Sequence, residues 1–159
     1  MNPRESRSLE GFRLVSGPGA LGRLVAQLRD LLSRAVPGAE ERALVLLAVE
    51  EAAMNVLEHG YGNEAGRHLS IRVRPSSDGR LEVVVRDRAP VVDVTGIPHG
   101  DLKELARCRA SRGRGLAMIR LLTRSVSHRP RPGGGNDLVL VFETGHLSRV
   151  IEEHLRDAA

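Results

Sequence analysis

The chain has 159 residues, so its length predicts one domain, residues 1–159, without a separate substrate or sensor domain. Hydrophobic residues make up 41% and charged residues 28%, a balance that supplies enough apolar material for a core and excludes a disordered chain. Aromatic residues reach only 2%, so a base-stacking platform for single-stranded nucleic acid is not expected.

The charge distribution also argues against a nucleic-acid partner. The formal charge is only +4, and the 24 basic residues, with Lys103 the single lysine, are scattered among 20 acidic residues without a basic stripe. No apolar run approaches the ~18 residues of a membrane span, and the N-terminus lacks the apolar centre of a signal peptide. The lone Cys108 cannot form an internal disulfide. We therefore expect a soluble, cytoplasmic protein that contacts neither nucleic acid nor a membrane.

Hydrophobic spacing predicts the elements of the first half of the chain. A short strand is expected over residues 9–15, and apolar residues at helical spacing follow over residues 21–35. A second helix is expected over residues 39–58, where glycines end it. Two alternating runs, residues 69–73 and 81–85, are separated by a polar turn and predict a β-hairpin.

The second half begins with a weak pattern over residues 88–112, and an irregular connection of this length is typical of a lid or binding loop. A third long helix is expected to begin at residues 113–115 and to include Val126. A strand over residues 138–142 and an amphipathic helix over residues 147–155 complete the chain. This order predicts an α/β (α+β) two-layer sandwich, with helices on one face of a mixed, largely antiparallel sheet.

Polar residues on the second helix form a column. At about 100° per residue, Glu51 and Asn55 lie one turn apart on the side opposite the main apolar stripe. Leu44 and Leu47 lie in the same column, as the floor of a pocket would. A simpler interpretation is a solvated helix face, and the spacing alone leaves both open.

Two further features break the apolar pattern. Strand alternation continues the core-facing row of Val83 and Val85 with Asp87, and a carboxylate there needs either a strand-end position or a specific donor. Residues 112–116 place two glycines at a loop-to-helix junction, where free backbone N–H groups and the helix dipole attract phosphate. Such junctions are also common in proteins that bind no nucleotide.

The order of these features resembles one known family. The segments LAVEEAAMNVLEHGYG, VVVRDRAP, SRGRGLAMIRLLTRSV and GGGNDLVLVFE resemble the ATP-binding domain of the GHKL, or histidine-kinase-like, ATPases, which has the Bergerat-type fold. The likeness is strongest to the small stand-alone branch, the anti-sigma-factor serine/threonine kinases of bacterial partner-switching systems. It covers about residues 10–145, with a lid at about residues 88–112.

The resemblance implies roles for individual residues. It makes Glu51 the general base and Asn55 a ligand of Mg²⁺, a hard ion that keeps several waters and takes few protein oxygens. Glu50 competes for the role of base but lies about 100° round the helix from Asn55. Asp87 matches the aspartate that accepts a hydrogen bond from the adenine amine. The rest of the implied ATP-binding set comprises Arg112, Gly113, Arg114, Gly115, Leu116 and Asn136.

Two positions depart from the family pattern. The aspartate motif normally has glycine two residues on, where this chain has Ala89, and a methyl group there would narrow the adenine site and weaken nucleotide binding. Asn136 stands where the family often has threonine and keeps a polar side chain.

The resemblance implies an ATP- and Mg²⁺-dependent protein serine/threonine kinase. Its implied substrate is a small antagonist protein, and it alternately sequesters a sigma factor or another regulator, often as a homodimer. Ala89 points to an alternative, a catalytically weak, nucleotide-responsive module that acts by docking alone. A third alternative, the catalytic fragment of a histidine kinase, is disfavoured because no upstream helical hairpin carries a phosphoacceptor histidine.

Overall fold

The computed structural model describes residues 9–90 and 111–157 of the chain. Within these residues there are five strands and four α-helices. The strands are β1 Glu10–Val15, β2 His68–Pro75, β3 Arg80–Asp87, β4 Ser125–Pro130 and β5 Asn136–Glu143. The helices are α1 Ala20–Ala35, α2 Ala39–Met54, α3 Ser111–Leu122 and α4 Thr144–Asp157.

The strands form one sheet in the order β1-β2-β3-β5-β4. Each of the four pairings between described strands is antiparallel. At one end of the central pairing, Asp87 of β3 faces Asn136 of β5. The predicted two-layer α/β sandwich is confirmed, and its sheet is antiparallel at every described pairing rather than mixed.

One face of the sheet is apolar because alternate residues of each strand point to the same side. Ile71, Val83 and Val85 are fully buried on this face, and Leu28 and Val49 of the first two helices are buried in the same core. The opposite face carries most of the charged residues of the strands, among them Arg13, Arg72 and Arg86. In the described part of the chain, no helix is both long and apolar enough to cross a membrane.

The second predicted helix is built from two kinds of helical turn. α2 ends at Met54, and a π-helical turn, Asn55–Gly60, continues the chain beyond the predicted end at residue 58. The change of helical pitch therefore begins at Asn55, a predicted site residue.

The predicted pocket floor is wrong in one respect. Leu47 of α2, which was expected to contribute to it, is 38% exposed and points to solvent.

The third predicted helix is shorter than expected at its C-terminal end. Val126 lies in β4 and faces Leu140 of β5, so its assignment to the helix is wrong. Thr123 Oγ1 donates a hydrogen bond to Ile119 O, and Arg124 N donates one to Val141 O, so the chain leaves the helix and enters the sheet there. α3 begins at Ser111, and most of the expected lid, residues 91–110, lies outside the described residues.

Candidate functional site

A cavity of about 190 Å³ opens between the helical layer and the ends of β3 and β5. Its walls are largely apolar, and five polar side chains line it: Asn55, His59, Asp87, His128 and Asn136. An apolar cavity with a few convergent polar groups is the usual form of a small-molecule site.

Asn55 is the first residue of the π-helical turn that follows α2. Such turns occur frequently at functional sites, because they change the direction of the side chains that follow them. The Asn55 amide nitrogen is buried and has no hydrogen-bond partner among the described residues. An unpaired buried amide is costly, so this side chain fits a bound polar ligand that supplies the missing partner.

Glu51 lies one turn before Asn55 and reaches α3. A Cβ atom added to Gly115 would overlap Glu51 Oε2, so the glycine leaves the space that this carboxylate occupies. Gly115 is buried and Glu51 is half-buried. The structure thus brings together two residues that are 64 positions apart in the sequence.

Asp87 ends β3 and is 4% exposed. Its Oδ1 accepts hydrogen bonds from Ala89 N at 2.7 Å and from Asn136 Nδ2 at 2.9 Å. Burial raises the pKa of Asp87, and these two hydrogen bonds oppose the rise because they stabilise the charged form. Oδ2 receives no hydrogen bond from the described residues, so one acceptor of a buried carboxylate is left for a ligand.

Asn136 connects Asp87 to His128, a residue that sequence analysis did not single out. The Asn136 amide nitrogen donates to two acceptors, Asp87 Oδ1 and Ala89 O at 3.1 Å. The amide oxygen therefore faces His128 Nε2, at 2.8 Å, and the imidazole must donate from this nitrogen. His128 escaped prediction because residues 125–130 were not recognised as a strand, whose alternation puts Val126 and His128 on the inner face.

Gly135 precedes Asn136 in a backbone conformation that favours glycine, with φ +87°. A Cβ atom there would overlap Asp87 O and lie 2.9 Å from Arg88 Cα. The absence of a side chain lets the β4–β5 turn pack directly against the end of β3. This contact brings Asn136 within reach of the Asp87 carboxylate.

Tyr61 ties the helical segment to the same strand end. It is 5% exposed, and its hydroxyl accepts a hydrogen bond from Arg88 N at 2.8 Å and donates one to His68 O at 2.5 Å. Tyr61 therefore holds the backbone directly after Asp87.

Ala89 is 5% exposed and lines the cavity. A Cβ atom added to Gly60 would lie only 2.8 Å from the Ala89 Cβ atom, so the methyl group packs against the glycine. Ala89 belongs to a small apolar cluster with Leu57 and Tyr61. The glycine at residue 60 thus makes room for the methyl group that the family pattern lacks.

The structure brings five of the predicted site residues to one cavity: Asn55, Asp87, Ala89, Leu116 and Asn136. Glu51 and Gly115 contact each other beside it. Gly113 lies in the first turn of α3, and the side chains of Arg112 and Arg114 lie outside the described residues.

A magnesium ion could take few protein ligands at this site. No group of three or more His, Cys, Asp and Glu side chains in the described part of the chain could hold a metal ion. The amide of Asn55 fits an ion that is held mainly by phosphate oxygens and water, provided that its oxygen faces the ion.

The chain belongs to the histidine kinase-like ATPase domain family, which it matches over residues 14–142. Membership of this family implies ATP binding. This match confirms the resemblance that was inferred from the motifs, and it also confirms the predicted fold.

Solved structures share this fold at low sequence identity. The RsbU and RsbW domains of Rv1364c from Mycobacterium tuberculosis are 21% identical, with a TM-score of 0.58, over 86% of this chain and 32% of that one. The SiaB–SiaC complex from Pseudomonas aeruginosa is 16% identical, with a TM-score of 0.64, over 84% of this chain and 88% of that one. The histidine kinase domain of a blue-light activated histidine kinase from Erythrobacter litoralis is 19% identical, with a TM-score of 0.50, over 84% of this chain and 64% of that one. The chain therefore spans about a third of the first of these structures and shares their fold.

Proposed function

We propose that the protein is an ATP- and Mg²⁺-dependent serine/threonine protein kinase of a partner-switching system. Its substrate is a small antagonist protein, and it alternately sequesters a sigma factor or another regulator. The observation that carries the proposal is the single cavity lined by Asn55, Asp87 and Leu116, with Glu51 packed against Gly115 at its side. The occurrence of this fold in the RsbU–RsbW structure and in the SiaB–SiaC complex supports a partner protein.

Asp87 selects the base of the nucleotide. Ala89 N and Asn136 Nδ2 occupy Oδ1, which leaves Oδ2 to accept a hydrogen bond from the exocyclic amine of adenine. Guanine presents a carbonyl oxygen at the corresponding position, which a carboxylate repels. A buried acceptor therefore discriminates between the two purines.

Glu51 acts as the general base. Its carboxylate accepts the proton of the incoming serine or threonine hydroxyl as that oxygen attacks the γ-phosphorus, the bond from this phosphorus to the bridging oxygen breaks, and ADP leaves. Gly115 leaves the Glu51 carboxylate unobstructed in α3, whose N-terminal backbone N–H groups would bind the phosphates of ATP. Asn55 would hold Mg²⁺, which supplies charge neutralisation of the triphosphate when bound.

The test compares Glu51→Gln with Glu50→Gln, a matched change on the neighbouring helix position. We expect Glu51→Gln to slow transfer of labelled γ-phosphate to the antagonist protein by at least about 100-fold, because general base catalysis contributes this much. The affinity for Mg²⁺-ATP, measured by calorimetry, should stay within about twofold in both variants, and Glu50→Gln should retain transfer. Undiminished transfer in Glu51→Gln would remove Glu51 from the mechanism.

A second candidate function, nucleotide-responsive docking with little or no catalysis, is favoured by Ala89. This residue lines the cavity where the family pattern has glycine. Calorimetry on the unmodified chain separates the two functions. When it is combined with an assay of γ-phosphate transfer, ATP binding without transfer would favour the docking module, and ATP binding with transfer would exclude it.

A further inference from the structure

The outer face of the sheet carries arginines that the ATP site does not use. A cavity of about 440 Å³ lies there. Five arginines and one histidine dominate its lining: Arg13, Arg72, Arg86, Arg88, Arg131 and His68. Asp87, at the end of β3, lines both this cavity and the one proposed for ATP, so the two cavities meet at that strand end. We call this surface, defined by its five arginines, the arginine groove.

Strand register gathers these residues from distant parts of the chain. Arg13 of β1 faces Ser70 of β2, which in turn faces Arg86 of β3, so the three side chains form one row across the sheet. Arg72 is two residues from Ser70 and points to the same face. Its Cγ atom would lie 3.2 Å from a Cβ atom at Gly11, so the arginine side chain runs over the glycine of the neighbouring strand.

The positive charge of the groove is largely uncompensated. Asp137, on the same row, already accepts two hydrogen bonds of 2.6 Å from Arg86 and lies 4.0 Å from Arg131 Nε. Within the described part of the chain, Arg13, Arg72 and Arg88 form no ion pair within 4.0 Å, and the Asp137 carboxylate acts on Arg72 only at longer range. Unpaired guanidinium groups on one surface repel one another, and an anionic ligand removes this repulsion.

The groove continues towards the edge of the sheet. A second depression of about 290 Å³, lined by residues of β1 and β2, shares Arg13, Ser70 and Arg72 with the first. β1 is the last strand on this side of the described sheet. The combined surface is therefore elongated and matches an extended segment rather than a compact small molecule.

We propose that the arginine groove binds an acidic segment of a partner protein, on the opposite side of the sheet from the ATP site. A protein segment is favoured over single-stranded nucleic acid because Phe12, the one Phe, Tyr or Trp residue in the lining of the two cavities, packs against the core and offers no platform for base stacking. This docking surface goes beyond the proposed phosphoryl transfer, because it holds the partner through residues that do not face the nucleotide.

The test uses fluorescence anisotropy with a labelled peptide of alternating glutamate and alanine. The double variant Arg13→Glu, Arg72→Glu is compared with Arg29→Glu, Arg149→Glu, which changes the net charge equally through exposed arginines of α1 and α4. We expect the groove variant to bind the peptide at least about tenfold more weakly and the control to stay within about twofold. Affinity for Mg²⁺-ATP should be unchanged in both, which also verifies folding.

Four outcomes would overturn the proposal. In the first, the two double variants lose affinity for the peptide equally. In the second, a glutamine–alanine peptide binds as tightly as the acidic one. In the third, oligothymidine binds more tightly than the acidic peptide, which would assign the groove to nucleic acid. In the fourth, the wild-type chain dimerises through the groove and binds no peptide, which would assign it to a second copy. Peptide binding without ATP binding would refute the proposed kinase and leave the groove assignment intact.

Discussion

Asn136 Nδ2 donates a hydrogen bond of 2.9 Å to Asp87 Oδ1 across the pairing of β5 with β3. The bond occupies one oxygen of a buried carboxylate and leaves the other for a ligand. It also explains how an aspartate is tolerated at the end of an apolar row, since a buried charge needs donors. The geometry proposed to select adenine therefore depends on sheet register.

Replacing Asp87 by asparagine should weaken ATP binding. The change removes the charged acceptor, and hydrogen bonds to charged groups contribute about 1.5–3 kcal/mol, so the affinity for Mg²⁺-ATP should fall by roughly 10- to 100-fold in calorimetry. Asp137→Asn is the matched control, because Asp137 belongs to the outer face of the sheet and should leave the affinity within about twofold. Equal losses in the two variants would contradict the assignment of Asp87.

His128 should act as a positioning residue for the same carboxylate. His128→Leu removes the donor to Asn136 Oδ1, so the amide loses the contact that keeps its nitrogen towards Asp87. We expect about 1 kcal/mol of lost stability and roughly tenfold weaker ATP binding. His128→Gln can still donate through its amide and should restore most of the affinity. If leucine and glutamine weaken binding to the same extent, the hydrogen bond has no positioning role.

Asp87 and Asp137 should affect the pH dependence of stability in opposite directions. The hydrogen bonds from Arg86 hold the pKa of Asp137 below its ordinary value of 3.8. The ionised Asp137 carboxylate therefore stabilises the folded state above pH 3.8, and this contribution is lost as the pH falls through the lowered pKa. Asp137→Asn should therefore cost about 1 kcal/mol at neutral pH and less on acidification, measured as the free energy of unfolding in urea.

For Asp87 the change of stability with pH has the opposite sign, because burial raises the pKa of its carboxyl group. The folded state then binds the proton more tightly than the unfolded state, so stability falls as the pH rises above 3.8. Asp87→Asn should be more stable than the wild type at neutral pH, and the gain should disappear in acid. A gain that persists in acid would show that the carboxylate charge is not its cause.

Local periodicity predicted most of the fold, and the motifs singled out residues that the structure brings to one cavity or beside it. α1, the β2–β3 hairpin and the α4 amphipathic stripe are properties of short segments, and each is present close to its predicted position. Glu51, Asn55 and Asp87 were singled out because their order and spacing resemble the family motifs.

Long-range pairing was not predictable in the same way. His128 depends on β4, whose apolar Val126 fits a helix equally well, and only pairing with β5 decides between the two. The arginine groove was missed because Arg13, Arg72 and Arg131 are scattered along the sequence and only the sheet register makes them neighbours. The π-helical turn at Asn55 has no signal in local propensity.

The contact between Gly60 and Ala89 offers a test of how this chain tolerates its departure from the family pattern. Gly60→Ala would place two methyl carbons 2.8 Å apart, well inside the 3.5–4.0 Å of favourable carbon contact, and should cost about 1–3 kcal/mol of stability. Ala89→Gly removes the opposing methyl group, so it should cost about 1 kcal/mol alone and rescue Gly60→Ala in the double variant.

The double-mutant cycle in urea should therefore show an interaction energy of at least about 1 kcal/mol. Since Ala89 also lines the cavity proposed for the nucleotide, Ala89→Gly should widen that cavity and strengthen ATP binding severalfold, whereas Gly60→Ala should not. Additive stabilities would show that the two methyl positions do not compete for one space. Unchanged ATP affinity in Ala89→Gly would show that this methyl group does not narrow the adenine site, and it would remove the structural reason for preferring a docking module over a kinase.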